Sequence, residues 1–255
     1  MINSKLHEYY HMKSKHSNYQ ILSTLLTPYL KDIDVKTRFE KERLKFILKH
    51  IELKNKYILD IGGNTGYFTF EFLKYGALHI DYYDGDKAHS LFMNEAKKIL
   101  KLDEKLKIYN QYYLFKKSDK TYDITLLLNV LHHVGEDYGD INIDKNTALK
   151  KIITSLKQIS FNTDILIFQL GFNWKANRDY PFFKKKEEMI NFIQKELIEY
   201  FDVLNIGIAE KDNINISYNL INKSNVNQPN YEREFLNRPI FIMKSKKVIK
   251  TVFDK

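Results

Sequence analysis

The sequence predicts an α/β protein built on a doubly wound, mostly parallel sheet, and three observations lead there. From residue 56 onward, short apolar runs alternate with segments of helical periodicity. The first run, Tyr57-Ile58-Leu59-Asp60-Ile61, ends in a glycine-rich turn, Gly62-Gly63-Asn64-Thr65-Gly66, that leads into a helix. Of the 255 residues 44% are hydrophobic and 14% aromatic, enough to bury a substantial core and against disorder.

Taken in order, the first fifty residues read as helical, most clearly 38–51, where Phe39, Leu44, Ile47, Leu48 and Ile51 recur at helical spacing between charges. After the strand at 57–61 come a helix at 67–73, a strand at 77–83 ending in Asp84-Gly85-Asp86, and a helix at 87–100. A short strand at 107–109 and a longer one at 122–128 precede a helix at 146–159 and a buried-looking strand at 164–170. A helix at 186–201 and strands at 203–209, 215–220 and 239–244 close the chain, the last group forming an antiparallel edge. No linker or repeat divides it. The expectation is one domain over 56–255, with insertions near 172–186 and 221–238, behind a helical extension over 1–55 that caps the substrate.

Composition excludes several classes. No apolar run approaches the ~18 residues of a membrane span, and the first sixteen residues lack the apolar core of a signal peptide. Cysteine is absent, which removes disulfides, thiolate nucleophiles and Cys-ligated metals. A cytoplasmic chain with no membrane partner is expected, its oligomeric state left open. Net charge is +9, but lysine carries it in a sequence rich in Lys, Asn and Ile, and a basic balance of that origin says little about nucleic acid. Arginine is the better probe, because only Arg38, Arg43, Arg178, Arg233 and Arg238 occur. A guanidinium grips carboxylate or phosphate bidentately, as lysine cannot. His7, His11 and His16 are irregularly spaced with no carboxylate cluster beside them, so no metal is expected.

The glycine turn offers backbone N–H groups and a helix N-terminus to a ligand. A dinucleotide G-x-G-x-x-G does not fit: started at Gly62 it finds Asn64 and Tyr67, started at Gly63 it finds Thr65 and Phe68. A P-loop fails as well. The pattern acidic-x-Gly-x-Gly-x-Gly matches Asp60 to Gly66 at every fixed position except Asn64, and asparagine tolerates the left-handed backbone that glycine supplies. Asp84, at the end of the second strand, is placed to accept hydrogen bonds from a ribose diol, with Asp86 in reserve.

With these residues the sequence resembles the class I S-adenosylmethionine (SAM)-dependent methyltransferases. Leu59 to Gly66 is similar to their cofactor loop, Asp84 to their ribose-binding acid, and Tyr122-Asp123-Ile124-Thr125-Leu126-Leu127-Leu128-Asn129-Val130-Leu131-His132-His133-Val134 to their fourth-strand motif. The resemblance covers roughly residues 56–170. It implies a seven-stranded Rossmann-like sheet, SAM as cofactor, and cofactor contacts at Asp60, Gly62, Gly63, Asn64, Gly66, Asp84, Gly85 and Asn129. Where the family places an acid for the adenine amino group, this chain has Asn110 and Gln111, whose amide carbonyls accept the same bond.

Methyl transfer needs an acceptor held in line and, for a hydroxyl, a route for its proton. His132 and His133 follow the fourth strand, where the resemblance places the cofactor methyl; either suits a base, and either has a packing role as its alternative. The arginines fall outside 56–170, which points to an anionic acceptor held by Arg38, Arg43, Arg178 and Arg238, with Trp174 and Lys175 as platform and clamp. The alternatives are helix-face pairing for Arg38 and Arg43 and core packing for Trp174. The Trp174 loop and the segment 237–241 are diffusely similar to methyltransferases of bacterial capsule and surface-polysaccharide gene clusters, implying O-methylation of a phosphorylated sugar, nucleotide-linked or phosphate-type compound. A nucleic-acid partner is not expected; tRNA methylation and a catalytically silent SAM-binding scaffold stand as alternatives, with an NAD enzyme last.

Overall fold

The computed structural model describes residues 4–12, 14–16, 20–30, 33, 35, 37–116, 118–228 and 234–248; Arg233 lies outside them. The chain forms two compact units, Met1–Tyr113 with Lys211–Tyr218, and Leu114–Glu210 with Asn219–Lys255.

In the first unit the elements are α1 (Ser4–His11), α2 (Glu40–His50), β1 (Tyr57–Ile61), α3 (Tyr67–Lys74), β2 (His79–Tyr83), α4 (Lys87–Ile99) and β3 (Leu106–Tyr109). β2 pairs in parallel with both β1 and β3, Ile80 standing opposite Ile58 and Leu106. Successive residues Ile58 and Leu59 are both fully buried, as expected of a parallel strand covered on its two faces. α4 starts where the Asp86 carboxylate accepts the Ala88 N–H at 2.8 Å, and it buries Ala88, Phe92, Met93 and Ala96 along one stripe. α1 lies against it through Tyr10 and Phe92, ring centroids 5.8 Å apart.

Helix does not run through the first fifty residues as the periodicity suggests. Among the described residues only α1, α2 and a single 3-10 turn at Thr27–Tyr29 are helical before β1. Pro28 interrupts the pattern, and the segment before it serves Glu71 of α3 instead: the Glu71 carboxylate accepts the Ser23 hydroxyl at 2.7 Å, the Thr24 N–H at 3.1 Å and the Thr24 hydroxyl at 3.2 Å.

The second unit holds β4 (Tyr122–Leu128), α5 (Lys145–Ile159), β5 (Thr163–Gln169), α6 (Lys186–Leu197), β6 (Phe201–Asp212), β7 (Asn215–Leu220) and β8 (Ile240–Ser245), the tip of the β6–β7 hairpin being counted with the first unit. β4 and β5 are parallel, and β8 is antiparallel to both β5 and β6. The antiparallel edge is therefore present, but the last strand of the chain sits inside it. α6 stops at Leu197 rather than 201, because a turn from Tyr200 N–H to the Leu197 carbonyl (2.8 Å) sends buried Phe201 into β6. The described residues thus form a mostly parallel mixed α/β fold with eight strands rather than seven, the hairpin strand β7 making the difference.

Arg43 of α2 is 3% exposed, 3.6 Å from the fully buried Glu40 carboxylate and 5.0 Å above the Phe68 ring centroid. Glu40→Ala should remove a buried carboxylate that faces that guanidinium and lower stability by about 3–5 kcal/mol. Urea unfolding should show a reduced midpoint at an unchanged slope.

Candidate functional site

The first group of site residues gathers around the turn after β1. Gly62 (φ 71°), Asn64 (φ 53°) and Gly66 (φ 74°) are all left-handed, so Asn64 does adopt the backbone that the motif ordinarily assigns to glycine. A Cβ on Gly63 would stand 2.5 Å from the Tyr82 ring and 2.8 Å from Asp60 Oδ2, and one on Gly66 would run into Met93. The turn is thus a tight cradle, packed so closely that neither glycine has room for a side chain. Its shape is held by polar contacts: the Tyr82 hydroxyl donates to the Asn64 carbonyl (2.5 Å), and the Asn64 side chain accepts the Thr65 N–H (2.8 Å) and donates to the His16 carbonyl (3.1 Å).

Asp84 sits beside the cradle. Its Oδ2 accepts the Asn64 N–H at 3.0 Å, its Oδ1 accepts the Asp86 N–H at 2.8 Å, and His89 Nδ1 lies 3.3 Å from Oδ1. Burial pulls the His89 imidazole down, but Asp84, Asp86 and the His16 backbone overcome it and raise its pKa above the ordinary value. Asp86, the reserve candidate, is committed as the cap of α4. Gly85 lies against the Tyr112 ring. Asn110 donates from Nδ2 to the Asp84 carbonyl at 3.3 Å, and Gln111 is exposed.

Asp60 is 3% exposed and accepts the Thr69 hydroxyl at 2.5 Å. Burial, opposed by the Thr69 bond and helped by Asp84, raises its pKa from 3.8 to about 7. Thr65 Oγ1, also buried, has no hydrogen-bond partner among the described residues.

The second group surrounds the turn after β4. Asn129 is left-handed (φ 60°) and opens a 3-10 turn, Leu131–His133. His132 is 3% exposed, its ring set over Gly171, where a Cβ would approach Cδ2 to 2.6 Å. The His133 ring is 4.1 Å from that of His132, and its Nδ1 faces Glu136 Oε2 at 2.8 Å and Asp137 Oδ2 at 3.2 Å. Carboxylates on Nδ1 fix an imidazole's tautomer and make Nε2 the stronger base.

Trp174 and Arg238 turn inward here. Trp174 is 9% exposed and its Nε1–H donates to the Val134 carbonyl at 2.8 Å. Lys175, left-handed at φ 52°, lays its ammonium 4.6 Å from the Trp174 ring centroid. Arg238 forks onto Glu234 (Nε to Oε1 3.1 Å, Nη2 to Oε2 2.7 Å) and donates from Nη1 to Asn129 Oδ1 at 2.9 Å. Arg178 is exposed near the tip of the loop whose base pairs Asn173 with Pro181. Arg38 is half-buried, its N–H held by Glu40 at 2.9 Å. Sequence reasoning missed Tyr82, Thr69, His89, Gln169 and Glu234; only His89, in the first turn of the helix after Asp84, carried a local signal.

No protein-family model matches the sequence, and no curated protein matches it. Among solved structures the chain superposes on WbdD with a TM-score of 0.56 at 12% identity, covering 94% of this chain and 46% of that one, so it spans less than half of WbdD's length. The N-methyltransferase NodS from Bradyrhizobium japonicum WM9, in complex with S-adenosyl-L-homocysteine (SAH), gives 0.50 at 11% identity over 82% of this chain and 88% of that one. Magnesium protoporphyrin IX methyltransferase from Synechocystis PCC 6803, with bound SAM, gives 0.50 at 11% identity over 87% and 88%. At such identities the likeness defines a fold: this chain has the Rossmann-like fold of the class I methyltransferases.

The raised pKa of Asp60 fixes a sign. Its carboxyl holds a proton in the folded chain up to pH about 7 but in the unfolded chain only to 3.8, so its contribution to stability is lost as pH rises from about 4 to about 7. Asp60→Asn should therefore gain on the parent protein as pH goes from 5 to 8. Ligand-free thermal midpoints at the two pH values test this; parallel profiles would contradict it.

Proposed function

We propose that the chain is a SAM-dependent methyltransferase acting on a small anionic acceptor. The observation that carries the cofactor is the turn after β1, a left-handed glycine turn packed too closely on Tyr82 and Asp60 for a side chain at Gly63, with the Thr65 hydroxyl unpartnered among the described residues and the Asp84 carboxylate beside it. Those residues fit SAM: Asp60, Gly62, Gly63, Asn64 and Gly66 would line it, Asp84 and Gly85 would meet its ribose, and Asn110 and Gln111 would lie toward the adenine. When bound, SAM supplies a methyl group on a sulfonium, open to displacement by a nucleophile.

The chain's own part is then to orient the acceptor and take its proton. His133, its Nδ1 between Glu136 and Asp137, is the better-prepared base, and His132 packs behind it over Gly171. Of the described arginines, Arg178 is exposed while Arg38 is half-buried and Arg43 and Arg238 are buried against glutamates, so Arg178 is the residue we assign to an acceptor phosphate. The reading extends to O-methylation of a phosphorylated sugar or nucleotide-linked compound of surface polysaccharide synthesis. The lysine surplus allows tRNA as the second reading, without singling it out.

SAH at about a hundred times its Kd should add roughly 2.7 kcal/mol to stability, a rise of several degrees in the melting midpoint for a chain of this size. NAD should add nothing. A shift with NAD alone would overturn the cofactor assignment. With methyl-labelled SAM, label should enter phosphorylated sugars and not tRNA, and Arg178→Ala should raise the acceptor KM at least about tenfold. Label in tRNA alone would move the assignment to RNA.

A further inference from the structure

Three polar side chains at one edge of the second unit close a ring. Asn129, the first residue beyond β4, donates from Nδ2 to Gln169 Oε1 at 2.8 Å. Gln169, the last residue of β5 and fully buried, donates from Nε2 to the Arg238 carbonyl at 2.8 Å. Arg238, two residues before β8, returns Nη1 to Asn129 Oδ1 at 2.9 Å. The backbone doubles one side of the ring, Asn129 N–H meeting the Gln169 carbonyl at 2.8 Å. Glu234 holds the guanidinium from outside through two oxygens, and the Phe235 ring lies 4.9 Å from it.

Every amide in this ring has one orientation that works. Turning Asn129 over would set its NH2 against the guanidinium and its oxygen against Gln169 Oε1, and turning Gln169 over would set oxygen against the Arg238 carbonyl. The ring therefore fixes Asn129 at φ 60°, the dihedral that starts the turn carrying His132 and His133. The far end of that turn is held separately, by Trp174 on the Val134 carbonyl. Between the two anchors, His132 is seated on Gly171, two residues beyond Gln169, so one displacement would disturb both the ring and the seat.

We infer that Arg238 and Gln169 are positioning residues: they act through Asn129 to set the two histidines, and touch neither the acceptor nor the methyl donor. The inference rests on the methyltransferase reading only for what the histidines do, since the positioning itself is a property of the protein alone.

The test compares full-length Arg238→Met, Arg238→Lys and Gln169→Leu with the parent by NMR of the histidine imidazole carbons and protons, assigned through His132→Gln and His133→Gln. Arg238→Met and Gln169→Leu should shift the His132 and His133 resonances and their titration, with His50 and His79 of the first unit unmoved as internal controls. Arg238→Lys, which keeps a cation at the corner, should bring the signals part of the way back. Unmoved His132 and His133 resonances in both Arg238→Met and Gln169→Leu would overturn the inference, as would a lysine variant no nearer the parent than the methionine one. If Arg238→Met does not fold, Gln169→Leu and Arg238→Lys make the same comparison. SAH binding by the parent, measured calorimetrically on the same sample, tests the cofactor reading separately. Failure there would remove the proposed chemistry and leave the imidazole result to judge the positioning.

Discussion

A chain that leaves a strand and must turn at once has few backbone conformations open to it, and at both groups of site residues this protein meets that constraint in the same way. Gly62 directly follows β1 and Asn129 directly follows β4, and both are left-handed, φ 71° and 60°. Each turn redirects the backbone immediately after the strand, so the next residues leave the line of the sheet. A residue confined to φ < 0 at either place would carry the chain elsewhere. The glycine cradle in one unit and the histidine turn in the other both begin from this single local choice.

The choice has to be held, because a left-handed asparagine is not self-sustaining at these positions. At Asn64 the support comes from Tyr82, Asp84, His89 and the His16 carbonyl. At Asn129 it comes from Gln169 and Arg238. The two asparagines are satisfied at both ends of their amides, so their side chains are structural fasteners. The same logic accounts for the inward-facing arginines. Arg43 and Arg238 are buried against Glu40 and Glu234, where a planar charged fork can be matched by a carboxylate as it cannot be by an apolar wall.

How much of this was legible follows from distance along the chain. β4 and β7 have the boundaries that pattern alone predicts, and β1 as well, since each is a compact apolar or alternating run with clear turn residues beside it. The left-handed turn at residues 62–66 was legible because glycine and asparagine, the residues at 62, 64 and 66, take that backbone most readily. The end of α6 was not, because Ile198, Tyr200 and Phe201 continue an apolar pattern that serves helix and strand alike. Nor was the place of β8 between β5 and β6, which no local signal encodes. The roles of Trp174 and Arg238 depend on partners 40 and 109 residues away, and a sequence read locally sees an aromatic and a cation where the fold has an anchor and a corner.

The segment before Pro28 has a further consequence, for the order in which the structure assembles. His16 meets Asn64, and Ser23 meets Glu71, across 48 residues each, whereas the turn after β1 forms from neighbours. Closing long loops carries an entropic cost that must be met before the contacts return anything. The cradle's backbone is thus drafted early by short-range geometry and fastened late by a remote strap. A growing chain holds that strap ready before α3, since His16 and Ser23 are synthesised ahead of Asn64 and Glu71, and the fastening waits only on the emergence of α3.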